Sequence, residues 1–275
     1  MRHRASPLPA YYFLLLALLY LPLAVLLVFA FNSGTILVFP LKGFTLRWFE
    51  QLFATEALMR SLRNSLTVAA GSSIVATVLA TCGAIAFVRF RFKGKGLFIT
   101  VALLPLYVPF VVLGVALLLL FSTLGIPRSL LTIGAAHSVV SLPYALLIVT
   151  ARLVGFDPHL EEAAMSLGAN YWHTVRRVIL PLIGPAIVAA WLTAFTVSFD
   201  EFAIANLLVG REPTLPVYLY SQMRMTARFP LVVAMAALVM AGTLSIFLAL
   251  VWLRRILART PASTAGAIPA GAVGP

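Results

Sequence analysis

Charge and cysteine are what this sequence has least of. Charged residues make up 10% of its 275 positions, with only 8 Asp and Glu, while 62% are hydrophobic. A soluble domain carries roughly 25% charged and roughly 45–50% apolar residues, so this composition argues against a water-soluble fold. The single cysteine, Cys82, lies inside an apolar run; it can form no intrachain disulfide, implies no oxidising compartment, and reads as a small packing residue. No glycine loop followed by Lys and Ser/Thr is present to cradle a phosphate. His3, His137, His159 and His173 are scattered, with no zinc-type His/Cys spacing. No nucleophile–base constellation appears, so the expectation is a chain with no catalytic residue, no metal and no cofactor of its own. The net charge of +12 does not indicate nucleic acid, because the basic residues flank apolar blocks and form no aromatic-interleaved basic face.

What is present is a series of apolar blocks near the length that spans a bilayer: about Tyr11–Phe31, Leu62–Val88, Leu97–Phe121, Leu130–Leu153, Pro181–Phe199 and Pro230–Leu253. Lipid offers no hydrogen bonds, so each block is expected to be a helix. Arg2 and Arg4 before the first block resemble a secretory signal, but the block exceeds the roughly 7–15 apolar residues of one and reads as a retained helix. The reading is an all-α integral membrane protein with six transmembrane helices. Twelve Lys and Arg, including Arg89, Arg91, Lys93, Lys95, Arg152, Arg176 and Arg177, fall on one side of the blocks and eight on the other. The positive-inside rule then puts both termini in the cytoplasm. Pro22, Pro105, Pro109 and Pro143 lie within spans and are expected to kink them, either as packing geometry or as a gating hinge. The stretch Phe44–Met59 alternates aromatic and polar residues as an interfacial amphipathic helix does.

Between the fourth and fifth blocks lies an ordered insertion, 154–180, longer than the roughly 2–8 residues that join neighbouring helices. It reads as helix, turn, helix: Asp157 as N-cap, Pro158 at the first helical position, Glu161 and Glu162 near the positive end of the dipole, Gly168 as the stop, and Asn170 capping the second helix. Ala163, Ala164 and Gly168 would let a partner approach closely. The spacing Glu162-Ala163-Ala164, three residues, Gly168, nine residues, Val178, one residue, Leu180-Pro181 resembles the EAA loop of binding-protein-dependent ABC transporter permeases; Val178 stands where isoleucine is usual.

That resemblance implies a type I ABC importer permease arrangement in a bacterial inner membrane. The hairpin would be the coupling element that sits in a cleft of a separate ATPase, with Glu161, Glu162, Ala163, Ala164, Gly168, Leu180 and Pro181 as coupling residues. It also implies partners: two cytoplasmic ATPase subunits that use the ATP, a second related permease, and a periplasmic or lipid-anchored substrate-binding protein, all around a subunit embedded in lipid. The domain reading is a cytoplasmic N-terminus 1–10, a permease domain 11–253, and a cytoplasmic tail 254–275. Within that tail Thr260–Pro275 is rich in Ala, Gly and Pro and expected to be disordered.

Residues Ala194–Asn206 and Thr214–Arg224, with Asn64-Ser65-Leu66 and Arg89-Phe90-Arg91-Phe92, resemble the permeases of spermidine/putrescine importers, and among them the PotC-like subunit. The resemblance implies a polyamine as the solute, with another organic solute as the alternative. Independently, Asp200 and Glu201 adjoin the outer end of the fifth block, where carboxylates must be hydrated, paired or facing a cation. They pair with Arg224 or Arg228, or one of them faces the transport path, since adjacent positions point about 100° apart on a helix. Tyr218 and Tyr220 either face the cation or anchor at the interface. A self-sufficient channel or secondary transporter is the rival class, but spans between Tyr11 and Phe121 hold none of the internal acids such proteins often use.

Overall fold

The computed structural model describes residues 8–36, 38–225 and 228–259; the N-terminal Arg2 and Arg4 and the Thr260–Pro275 segment lie outside them. Among the described residues the chain is helical, with a single isolated bridge between Asn32 and Phe44 and no strand. It divides into two compact units, Met1–Ala54 with Met225–Pro275, and Thr55–Arg224.

The first unit holds α1 (Leu8–Ala30) and α2 (Arg47–Ala54). It also holds a long C-terminal helix, Phe229–Arg259, named α12 below, which runs into the segment expected to be tail. Phe29 and Ala30 of α1 pack on Val233 and Ala237 of that helix, with Leu41 and Phe49 closing the cluster. Most of α1 from Tyr11 to Leu23 is apolar and exposed, with Tyr11 at 62% and Leu21 at 58%, a surface suited to hydrocarbon. The loop after α1 is folded by Asn32: its side-chain oxygen accepts the Gly34 and Lys42 N–H groups, each at 3.3 Å, and its carbonyl accepts the Trp48 indole N–H at 2.7 Å. The amphipathic stretch is therefore helical only over Arg47–Ala54; the residues from Glu56 onward belong to the next helix.

The second unit is built on α3 (Glu56–Arg89), α6 (Leu130–Val154) and α9 (Leu180–Asp200). Buried Ser65, Ala69, Ser72, Ala76, Ala80 and Ala84 recur every three or four residues along α3, so one face is nearly without side-chain bulk. Small residues let helices approach closely where the bilayer supplies no hydrophobic drive between them. Towards one end the three helices close over Ala145, Leu146, Val149, Ile179 and Ile183; towards the other over Val68, Ile133, Ala136, Val140 and Ile204.

The third apolar block does not form one straight helix. α4 (Lys95–Leu103) passes through a tight turn at Leu104–Leu106 and is followed by α5 (Phe110–Thr123), bent from it by 107°. Pro105 and Pro109 lack the N–H the helix ladder needs, and Pro109 is extended with ψ 133. The remaining elements are α7 (His159–Ser166), α8 (Tyr171–Thr174), α10 (Ala203–Leu208) and α11 (Leu215–Met223). Among the described residues four helices are long and apolar enough to cross a membrane, or five if α4 and α5 count as one bent span.

At one end of this unit Arg89 closes α3 beside the loop that follows α6; at the other, Asn64 donates to the Pro213 carbonyl at 3.1 Å and Ser65 accepts from the Leu215 N–H at 2.7 Å. From Asn64 to Arg89 a helix rises about 37 Å, more than the roughly 30 Å hydrocarbon core. The basic cluster after α3 and the acidic and aromatic residues after α9 thus stand at opposite ends, as the alternation of blocks requires.

Candidate functional site

At the Arg89 end, the chain leaves α6 at Gly155 and folds into the hairpin. Asp157 accepts the His159 N–H at 3.0 Å, so α7 begins at His159, one residue later than expected. It ends at Ser166, and Gly168 turns the chain with a φ of +88° in the left-handed region, while the Ala169 N–H closes back on the Ala164 carbonyl at 3.1 Å. Asn170 then caps α8, accepting the His173 N–H at 2.8 Å. Between α8 and α9 the helix widens into a π turn at Val175–Ile179. Pro181 sits in the first turn of α9 and cannot donate to the turn before it, and a π turn is one way a helix absorbs that loss. Leu180 and Pro181 therefore form the joint between hairpin and span.

The two glutamates diverge. Glu161 is 7% exposed and meets Arg89 Nη2 at 2.6 Å, an approach off the hydrogen-bonding axis that is held by charge. Arg89 also lies over the Phe156 ring at 5.7 Å, and Phe90 stands edge-on to Tyr171 at 5.4 Å, so the hairpin is fastened to the end of α3. Glu162 turns outward beside His159, with its side chain 65% exposed. Ala163 and Gly168 are exposed and Ala164 is half-buried. Around them stand apolar side chains open to solvent: Leu167 at 90%, Trp172 at 67%, Leu160 and Met165. These four were not singled out in the sequence; their signal is that a short polar hairpin carries large apolar residues at exposed positions.

At the other end, α9 breaks after Asp200. Asp200 is exposed, whereas Glu201 is buried and extended, its carboxylate accepting the Ile204 N–H at 3.0 Å and the Ala205 N–H at 3.0 Å. Its other neighbour is His137 of α6, whose Nε2 stands 3.3 Å from Oε2. The alignment falls short of a hydrogen bond, so the His137 Nε2 faces the carboxylate without closing on it. The partner of Glu201 is thus a histidine that spacing alone had marked only as isolated. Tyr218 is buried; Tyr220 is exposed, packed on Phe202 at 4.8 Å, with the Arg224 guanidinium 5.7 Å from its ring. Among the described residues no group of His, Cys, Asp and Glu is arranged to hold a metal.

Residues 73–259, which include the hairpin and the α9–α10 break, match the family described as the binding-protein-dependent transport system inner membrane component. The chain belongs to that family. This permease is 38% identical over 232 residues to the putrescine transport system permease protein PotI of Escherichia coli (strain K12), covering 82% of each chain. It is 34% identical over 251 residues to the spermidine/putrescine transport system permease protein PotC of Haemophilus influenzae, covering 91% of the permease and 95% of that relative. Its fold matches that of a bacterial ABC transporter involved in the import of the acidic polysaccharide alginate, with a TM-score of 0.67 at 18% identity over 92% of the permease and 96% of that chain. The permease is accordingly an all-helical, multi-pass inner-membrane protein, as the apolar blocks and the EAA-loop resemblance implied.

Proposed function

We propose that this permease forms half of a polyamine translocation pathway and is driven by separate cytoplasmic ATPase subunits docked on its 154–180 hairpin. The substrate class is supported by relatives named for putrescine and spermidine transport, at 38% and 34% identity over most of the chain. The coupling role is supported by one geometric observation: Glu161 is fixed inward on Arg89 while Leu167 and Trp172 are held out to solvent. Burying one such large apolar side chain contributes about 1.5–3 kcal/mol, so an ordered tip that leaves several uncovered suits a partner's cleft. The hairpin would act as a stiff lever, with Glu162, Ala163, Ala164 and Gly168 at the contact and Leu180-Pro181 at its joint.

In this reading the permease binds no cofactor and performs no chemistry; two ATPase copies bind and hydrolyse ATP, and their closure biases the permease between two access states. A second, related permease completes the path, and a periplasmic or lipid-anchored receptor delivers the solute. Counting the bent α4–α5 pair and α12 as spans gives six crossings with both termini in the cytoplasm. Of the pathway candidates, exposed Asp200 and Tyr220 are suited to meet an ammonium group, and buried Glu201 and Tyr218 to shape the site.

The test is reconstitution of the permease with its partner subunits and receptor in liposomes, followed by uptake of labelled putrescine. ATP-dependent uptake, competed by unlabelled spermidine and lost when the ATPase is omitted, is the expected result. Uptake without nucleotide would instead identify a channel, and uptake indifferent to polyamine competitors would reassign the solute.

A further inference from the structure

The α9–α10 break rests on a buried polar chain that solute contact alone does not explain. Four side chains from three helices line up: Ser72 of α3, Ser198 of α9, His137 of α6, and Glu201 at the break. Their exposures run from 1% for His137 to 6% for Glu201. Ser72 Oγ donates to Ser198 Oγ at 2.8 Å, closer than its alternative acceptor, the Ala69 carbonyl at 3.3 Å. Ser198 Oγ and His137 Nδ1 are 2.8 Å apart, and His137 Nε2 faces Glu201. With the Ser72 hydroxyl donating to Ser198, and the Ser198 hydroxyl donating to Nδ1, a neutral imidazole carries its proton on Nε2, towards the carboxylate. Each proton then has an acceptor or an opposite charge ahead of it.

The Glu201 carboxylate receives two backbone N–H groups from α10 and faces His137 with its Oε2. An aspartate, one methylene shorter, would not span the same distance. Asp200, the adjacent residue, lies outside this chain and is open. A slip of the break by one residue would bring Asp200 into the buried place of Glu201 and move Glu201 out of it.

We propose that His137 and Glu201 act as paired positioning residues, locking the α9–α10 break so that Asp200 presents its carboxylate to the open side while Glu201 never meets the solute. This rests on the reading of Asp200 as a residue of the polyamine path, and the test separates the two. Asn206, exposed on α10, reports on the break when replaced by cysteine in a Cys82→Ser background, and its reaction rate with a water-soluble maleimide is read on the assembled transporter in detergent. Glu201→Gln keeps an acceptor for the Ile204 and Ala205 N–H groups but removes the charge facing His137; His137→Ala removes the other half, and His137→Gln serves if the alanine variant does not assemble.

Each single substitution is expected to speed labelling about fivefold, and the double variant no further, because both break one pair. In liposomes Glu201→Gln is expected to lower the maximal rate of putrescine uptake about fivefold with KM within about twofold, whereas Asp200→Asn raises KM about tenfold with labelling unchanged. A KM in Glu201→Gln that rises as in Asp200→Asn, or single effects that multiply in the double variant, would overturn the proposal. An unchanged KM in Asp200→Asn beside non-additive labelling would remove Asp200 from the path and leave the His137–Glu201 lock supported.

Discussion

Arg89, the last residue of the longest helix in the second unit, holds the carboxylate of Glu161 in the hairpin at 2.6 Å, with both side chains largely shielded from water. The pair joins the lever to a helix that runs the depth of the unit. Removing one member of a buried pair leaves the other charge without compensation and costs about 3–5 kcal/mol. Arg89→Ala and Glu161→Ala are therefore each expected to lower ATP-driven uptake at least about tenfold and to reduce the ATPase that co-purifies with the permease. The exchange Arg89→Glu with Glu161→Arg should recover part of both. Full activity in either alanine variant would show that the hairpin needs no anchor.

Glu162, one residue on, gives the opposite expectation for stability. Its side chain is exposed and meets His159 at 3.2 Å. Substitutions at such surface positions usually stay within about 0.5 kcal/mol, so Glu162→Lys should leave the melting profile in detergent unchanged. Loss of ATPase binding together with unaltered melting would mark Glu162 as a contact residue. A comparable loss of stability would mean that it supports the hairpin from within.

The difference between these two glutamates was not legible in the sequence, although the hairpin was. Caps and stops are local: Asp157, Gly168 and Asn170 act on neighbours within a few residues, and each does what its type and position suggested, apart from a one-residue shift at the start of α7. Apolar blocks likewise announce spans through their length. What sequence order hides is partners far apart along the chain. Arg89 read as one charge in a flanking cluster, and His137 as a stray imidazole, because Glu161 and Glu201 reach them only after α3, α6 and α9 have packed. The break in the third block shows the intermediate case: Pro105 and Pro109 marked a kink, but its 107° size follows from two missing donors acting across a few residues.

Gly168 makes a conformational prediction separable from crowding. A Cβ there would meet nothing within 4 Å, yet φ is +88°, where β-branched residues are strained. That strain costs on the order of 1–2 kcal/mol, and asparagine tolerates the region better. Gly168→Val should therefore impair coupled uptake more than Gly168→Asn, though the two side chains are similar in size. Equal activity of the two would indicate that the turn is not held in this conformation when the ATPase is bound.

Gly210 tests close approach instead. It follows α10 after Val209, and a Cβ built on it would collide with the Arg128 carbonyl oxygen and stand 3.1 Å from its carbon. Neither atom belongs to a side chain that could swing aside, so the backbone must move. The piece that would move leads into Ser129, whose reciprocal hydrogen bonds with Thr132 cap α6 at 3.4 and 2.9 Å. Overpacking of this kind costs about 1–3 kcal/mol, and here the displaced segment would also loosen a cap. Gly210→Ala should lower the melting temperature in detergent by on the order of several degrees. Gly71→Ala, on an exposed face of α3 with nothing within 4 Å of the new methyl, should be neutral or stabilising by up to about 1 kcal/mol from helix propensity. If both alanines melt alike, α10 is not seated against the start of α6, and the lock assigned to His137 and Glu201 would have no rigid element to hold.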